Sequence, residues 1–413
     1  MIKFKPFKAY RPLPSIVSKV ASRPYDVLNS EEAKEEAKGN ENSFLRVVKS
    51  EIDLPEHFGP YDSAVYSKAK ENFNSFCDSG KFTQDSADSF YVYRLTMNDR
   101  SQIGLVGCCH FQQYYDGLIK KHELTRTAKE NDRVEHVEVM DANAEPVFFS
   151  YRAKPELDLL INQLIESKAE YDFIAEDGVR HELWCCSDRG VNDQISRIFL
   201  EVPCLYVADG HHRTAAAARV GRKRKDANQN HVGTEEYNYF MAVLFPDNQL
   251  EIFDYNRVVK DLNGLSDNDF ITRLKKSFSV NISSSYECRP TSIREFSLYL
   301  SGQWYKLSPL DKKRVIDPVA DLDVTLLSEL VLDPILGITD LRQSDRIDFV
   351  GGIRGLHELE KRVDSGEMAA AFALYPVSMD QLISIADAGE IMPPKTTWFE
   401  PKLRSGLFVH SLS

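Results

Sequence analysis

The chain has 413 residues, 42% of them hydrophobic and 11% aromatic, which gives room for two or three domains with sizeable cores. Its formal net charge of −12 argues against an extended nucleic-acid surface, and no uninterrupted apolar run approaches the ~20 residues of a membrane helix. Seven cysteines, vicinal at Cys108-Cys109 and Cys185-Cys186 and without CxxC spacing, read as reduced thiols, and the charged start Met1-Ile2-Lys3 lacks a signal core, so a cytoplasmic location is expected.

Residues 10–28 carry three prolines and read as an extended lead-in to Pro24-Tyr25-Asp26, after which Ser30 caps a short helix from Glu31 to Lys38. Val65, Ala69, Phe73 and Phe76 mark a helix over 63–79. Tyr91–Leu95 and Ile103–Cys108 read as paired strands turning at Asn98-Asp99. A long polar helix is expected from Asp116 to Arg133, followed by a strand at Val147–Tyr151 and a helix from Pro155 to Lys168. The strand His181–Cys186 and a helix near Asp193–Phe199 lead to Cys204–Arg219, which reads as a buried strand, a sharp turn at Asp209-Gly210 and an alanine-rich helix. Tyr237–Phe245 is a strand with a hairpin partner at Leu250–Phe253. Beyond it, helices at Leu265–Phe278 and Leu322–Leu332 precede an alternation of strand (347–350), helix (356–363), strand (369–375), helix (379–388) and strand (407–410). That alternation is an α/β pattern. No internal repeat, low-complexity tract or flexible linker interrupts it.

The turn carries the strongest chemical signal. His211, His212 and Arg213 occupy the first turn of the helix, where the macrodipole already places about half a positive charge. An anion held by the free backbone N–H groups, with these side chains closing around it, removes the conflict, and phosphate is the obvious candidate. The alternative is a plain glycine turn with neutral, solvated histidines. The basic run from Arg219 to Lys225 complements the negative end of the same helix and needs no further role.

Three other segments bear groups of interest. On a 116–133 helix, His122, Arg126 and Glu130 lie four apart and share a face, either solvated and laced with ion pairs or turned into a site. Lys121, His122, Glu123 and Arg126 are the candidates there. In Pro393-Pro394-Lys395-Thr396-Thr397-Trp398-Phe399-Glu400-Pro401-Lys402, Lys395 or Lys402 could be held towards an anion, or the loop could simply pack Trp398 and Phe399. Asp26 follows the stiffened lead-in and is either a turn residue or a base. Walker A, protein-kinase, dinucleotide and nucleophile-elbow signatures are absent from the sequence.

Ala208-Asp209-Gly210-His211-His212-Arg213 resembles the phosphate-binding strand–turn–helix of the ParB/sulfiredoxin-like superfamily, which includes free-serine kinases. Along its whole length the chain resembles the large bacterial family labelled domain of unknown function 1015. The resemblance rests on Arg23–Leu28, Lys121–Thr125, Asp209–Arg213, Arg346–Gly352 and Met392–Leu403.

It implies an α/β (α+β) fold: a ParB/sulfiredoxin-like core over 1–258 with an inserted strand–helix segment near 61–170, and a C-terminal α/β region over 259–413 packed against it. It further implies a nucleotide-dependent small-molecule kinase acting on free serine or a similar hydroxylated metabolite. ATP or ADP phosphates would sit on Gly210, His211, His212, Arg213 and Thr214, with Mg²⁺ carried by phosphate and Asp209 a ligand or positioner. Lys121, His122, Arg126 and Lys395 would touch substrate or phosphate. The family's base is a glutamate after the first strand; here the choice stays open between Asp26, Glu31, Glu32 and Glu123. The other reading is a nucleotide-responsive ParB-like binding or regulatory protein. No nucleic-acid or membrane partner is expected, and an oligomer is compatible with either.

Overall fold

The computed structural model describes residues 1–284, 288–311 and 316–413. The chain is a mixed α/β protein that divides into two compact units, residues 1–250 with 401–413, and residues 251–400. The division falls before the strand Tyr255–Val259, and the C-terminal residues return to the first unit.

The first unit is built on a sheet of nine strands among the described residues. From one edge the strands run Ile119–Lys120, Leu205–Asp209, Val147–Tyr151, Tyr239–Pro246, Arg100–His110, Phe90–Met97, Arg180–Cys186 and Tyr171–Ile174, with Phe4–Lys5 pairing at Cys108 and Cys109. The segment read as an insertion, 61–170, thus supplies interior strands of this sheet. These central strands are near-continuous apolar runs because both faces are covered. On one face Phe4, Phe90, Val92, Leu105, Phe149, Ile195, Phe199 and Val207 form a single core. Gly107 keeps the sheet close-packed: a Cβ there would stand 2.6 Å from the rings of Phe4 and Phe90. A second cluster gathers Tyr25, Phe44, Val47, Phe73, Phe82 and Met140 under the helix Ser63–Asp78.

The expected 116–133 helix is not formed as read. Ile119–Lys120 adds to the sheet edge, parallel to Leu205 and Tyr206, residues 121–126 follow without helix, and the helix runs Thr127–Met140. The segment has no apolar stripe to bury, so pairing with a free strand edge decides its backbone. His122, Arg126 and Glu130 therefore share no helix face. The basic run after Arg219 meets this helix instead: Arg219 pairs with Glu130 at 2.8 Å and Lys223 with Glu138 at 3.0 Å.

Among the described residues, the second unit has a six-stranded sheet in the order Phe278–Ser283, Gln303–Pro309, Phe296–Leu300, Ala370–Leu374, Tyr255–Val259, Ile347–Gly351. Helices Asp267–Leu274, Leu356–Asp364 and Met379–Asp387 accompany it. Ile252–Phe253, expected as a hairpin partner of 237–245, pairs with Trp398–Phe399.

Candidate functional site

The strand Leu205–Asp209 ends in an irregular register against Phe148 and Phe149, and the chain then turns sharply at Gly210, φ +89° and ψ 36°. A side chain is penalised in that left-handed conformation. The helix His211–Ala227 starts at once, without a side-chain cap. Thr214 is spent inward, its Oγ1 donating to the Gly210 carbonyl at 2.9 Å. The first-turn N–H groups have no helical acceptor and so form the positive end of a 17-residue helix. Ala215, Ala216 and Ala218 are buried, which the small side chain permits.

The cationic side chains of this turn behave differently from the sequence expectation. Arg213 is buried; its NH1 donates to the Pro146 carbonyl at 2.6 Å and its NH2 to Asp209 Oδ2 at 3.1 Å. Burial opposes its charge, but Asp26, Asp209 and Glu145 hold the guanidinium ionised. The conflict with the helix dipole is thus relieved by carboxylates of the protein, and Arg213 braces the turn from within. A Cβ on Gly210 would lie 3.1 Å from its Nε.

His211 is neutral. Burial, with His122 next to it, pushes its pKa well down, and the two rings meet edge to face at 4.5 Å. His122 is itself lowered to about 4 by burial. His212 is lowered too, by burial and then Lys129, and its Nε2 accepts the Arg126 backbone N–H at 3.0 Å. That bond ties the 121–126 segment to the motif helix and leaves Nδ1 to carry the proton. What remains for an anion is the backbone N–H groups and neutral imidazole donors. Two lysines add charge nearby. Lys121 is exposed, acts on His211 and stands 4.5 Å above the Tyr114 ring; Lys402 Nζ is 3.6 Å from Asp209 Oδ1.

Asp209 is therefore clasped between two cations. Burial works to raise its pKa, but Lys402 and Arg213 outweigh this and hold it at about 2. With both oxygens facing cations it does not suit a resident metal, and among the described residues no group of three or more His, Cys, Asp and Glu is placed to hold one.

Asp26 lies in the short turn Tyr25–Val27, is exposed, and is close enough to Arg213 and His212 to shift both. Its neighbour Tyr25 is fixed: its N–H donates to Glu145 Oε1 at 3.1 Å, and the Arg133 guanidinium lies 3.9 Å above its ring. Of the other acids considered, Glu32 closes a capping box with Asn29, and Glu31 is exposed in the same first turn. Glu123 is half-buried in the 121–126 segment, and exposed Arg126 precedes the helix there. Lys395 belongs to the second unit, where its Nζ is 5.8 Å from the Tyr255 ring centroid.

Sequence reasoning weighed Lys402 beside Lys395, but missed Glu145 and Arg133. Glu145 is buried, accepts from Tyr25 and Ser405, and faces Arg133 at 3.7 Å. Neither residue sits in a local pattern that could have marked it.

Known structures with some similarity include a conserved hypothetical protein from Pyrococcus furiosus, 14% identical, covering 72% of this chain and 92% of that one with a TM-score of 0.34. A free serine kinase in complex with AMP is 12% identical, with coverages of 72% and 90% and a TM-score of 0.35. SbnI with a C-terminal truncation from Staphylococcus aureus is 11% identical, with coverages of 73% and 85% and a TM-score of 0.36. No curated protein matches the chain significantly. The family described as "Protein of unknown function (DUF1015)" matches residues 4–325, most of the chain, and the protein belongs to that family.

Proposed function

We propose that the protein is a nucleotide-dependent phosphotransferase acting on a small hydroxylated metabolite, free serine or a similar compound. The observation that carries this reading is the left-handed Gly210 turn. It starts a 17-residue helix, without a side-chain cap, directly after the strand Leu205–Asp209 and near an exposed carboxylate, Asp26, that has no hydrogen bond or ion pair to the described residues. The likeness of Asp209–Arg213 to the phosphate-binding turn of the ParB/sulfiredoxin-like superfamily supports it.

In this reading the nucleotide phosphates, from ATP or ADP, rest on the N–H groups of His211, His212 and Arg213. His211 and His212 donate as neutral imidazoles, and Lys121 offsets charge at the rim. Phosphoryl transfer demands positioning and charge neutralisation more than covalent help. Asp26 accepts the acceptor hydroxyl proton as the oxygen bonds to phosphorus and the bond to the leaving nucleotide breaks. Asp209 positions the turn through Arg213 and Lys402. Mg²⁺ bound with the nucleotide would supply further neutralisation of phosphate charge, and Asp209, paired to Arg213 and Lys402, would not hold it.

The test is to incubate the full chain with Mg²⁺, ATP or ADP and a panel of hydroxylated metabolites that includes serine, reading product by mass spectrometry. Transfer to one acceptor, lost in Asp26→Asn with nucleotide affinity kept, is expected. Tight nucleotide binding without transfer to any acceptor would overturn the reading and leave a nucleotide-responsive binding protein.

A further inference from the structure

The first unit holds a polar cleft of about 220 Å³ whose walls include Asp26, Lys49, Glu51, Lys129, Asp132 and Arg133, of which Asp26 and Lys129 act on His212 of the motif turn. That volume is below the roughly 300–1,000 Å³ typical of drug-sized ligand sites and suits a small metabolite. The walls carry both signs of charge, but most of that charge is already used. Glu51 accepts from Ser30 at 2.8 Å and lies 3.0 Å from Lys49. Asp132 accepts from Tyr66 at 2.9 Å and from Arg133 at 2.8 Å.

Two charged groups of the wall make no hydrogen bond or ion pair with the described residues: Asp26 and Lys129. Lys129 stands in the first turn of the helix Thr127–Met140, which has no side-chain cap. A cation there meets the positive end of the helix dipole, and an anion in front of it gains from both. No acidic side chain of the wall remains for a ligand ammonium once Asp26 is given to a hydroxyl.

We propose that this cleft is the acceptor subsite and that it selects a small hydroxy-carboxylate, the carboxylate held by Lys129 and the hydroxyl presented to Asp26. The proposal rests on the phosphotransfer reading for the direction of the hydroxyl, but not for binding of the carboxylate.

Calorimetry of the full chain with glycerate, glycerol and ethanolamine tests it. Glycerate binding is expected, with glycerol and ethanolamine at least about tenfold weaker. Lys129→Met should weaken glycerate by about ten- to a hundredfold, the range of one charge-assisted hydrogen bond. Lys129→Glu should abolish glycerate binding. Glycerol or ethanolamine binding as tightly as glycerate would overturn the proposal, as would Lys129→Met with unaltered glycerate affinity. If glycerate binds in a Lys129-dependent way but no acceptor is phosphorylated, the subsite stands and the transfer reading falls. If transfer occurs with a KM indifferent to Lys129, the subsite falls and the transfer reading stands.

Discussion

Arg213→Ala separates a bracing role from a ligand-binding one. The guanidinium donates to the Pro146 carbonyl and to Asp209, and it neutralises a site that also contains Glu145 and Asp26. Its removal leaves a buried carbonyl without that donor and a carboxylate without its nearest cation. Removing one partner of a buried pair typically costs about 3–5 kcal/mol. Here Lys402 stays 3.6 Å from Asp209, so the lower end, about 3 kcal/mol, is expected. Relief of the dipole conflict returns less than about 1 kcal/mol. The assay is urea unfolding with Trp304 and Trp398 replaced by Phe, so that Trp184 reports the first unit alone. Adding Asp209→Asn to Arg213→Ala should recover part of the loss, because the stranded charge goes with it. A loss below about 1 kcal/mol, accompanied by collapse of nucleotide affinity, would refute the reasoning and turn Arg213 towards the anion.

Gly210→Ala should cost about 1–2 kcal/mol from the left-handed backbone alone, and it should weaken ADP binding because the new Cβ crowds Arg213; melting and calorimetry check both, and an unchanged melting temperature would count against the turn geometry. Burial lowers His122 and His136 to about 4 and His181 to about 3. Their ordinary value is near 6.5, so the unfolded chain binds more protons between these limits. The stability they contribute is complete above about pH 6.5 and is lost as pH falls towards 3–4, with a slope of up to about 4 kcal/mol per pH unit. Flat stability of the first unit from pH 6.5 to 4 would contradict their burial. Lys402→Met should raise the Asp209 pKa from about 2, since burial then faces only Arg213; a carboxyl-carbon NMR titration reads it, and an unmoved value would remove Lys402 from the site.

Some of this was open to reading in the sequence, and the reason is locality. A glycine after Asp209, an apolar run before it and an alanine run behind it specify strand, left-handed turn and helix within about twenty residues, and the structure has all three. Much of the strand–helix alternation was legible for the same reason, because periodicity is a short-range signal. What failed depended on partners distant in the chain. The segment 119–126 follows a strand edge at Leu205 and Tyr206 that its own composition does not announce. Arg213 turns inward because Pro146 and Asp209 await it there, and the histidines lose their charge because other parts of the chain take water away from them. The sequence reading weighed both lysines and put Lys395 at the site; folding sets Lys402 beside Asp209 and Lys395 beside Tyr255. The sequence by itself determined where the turn is and which residue types line it. The tertiary structure decided which of them are charged, paired or left exposed, because desolvation and ion pairing depend on what the rest of the chain brings within a few ångströms.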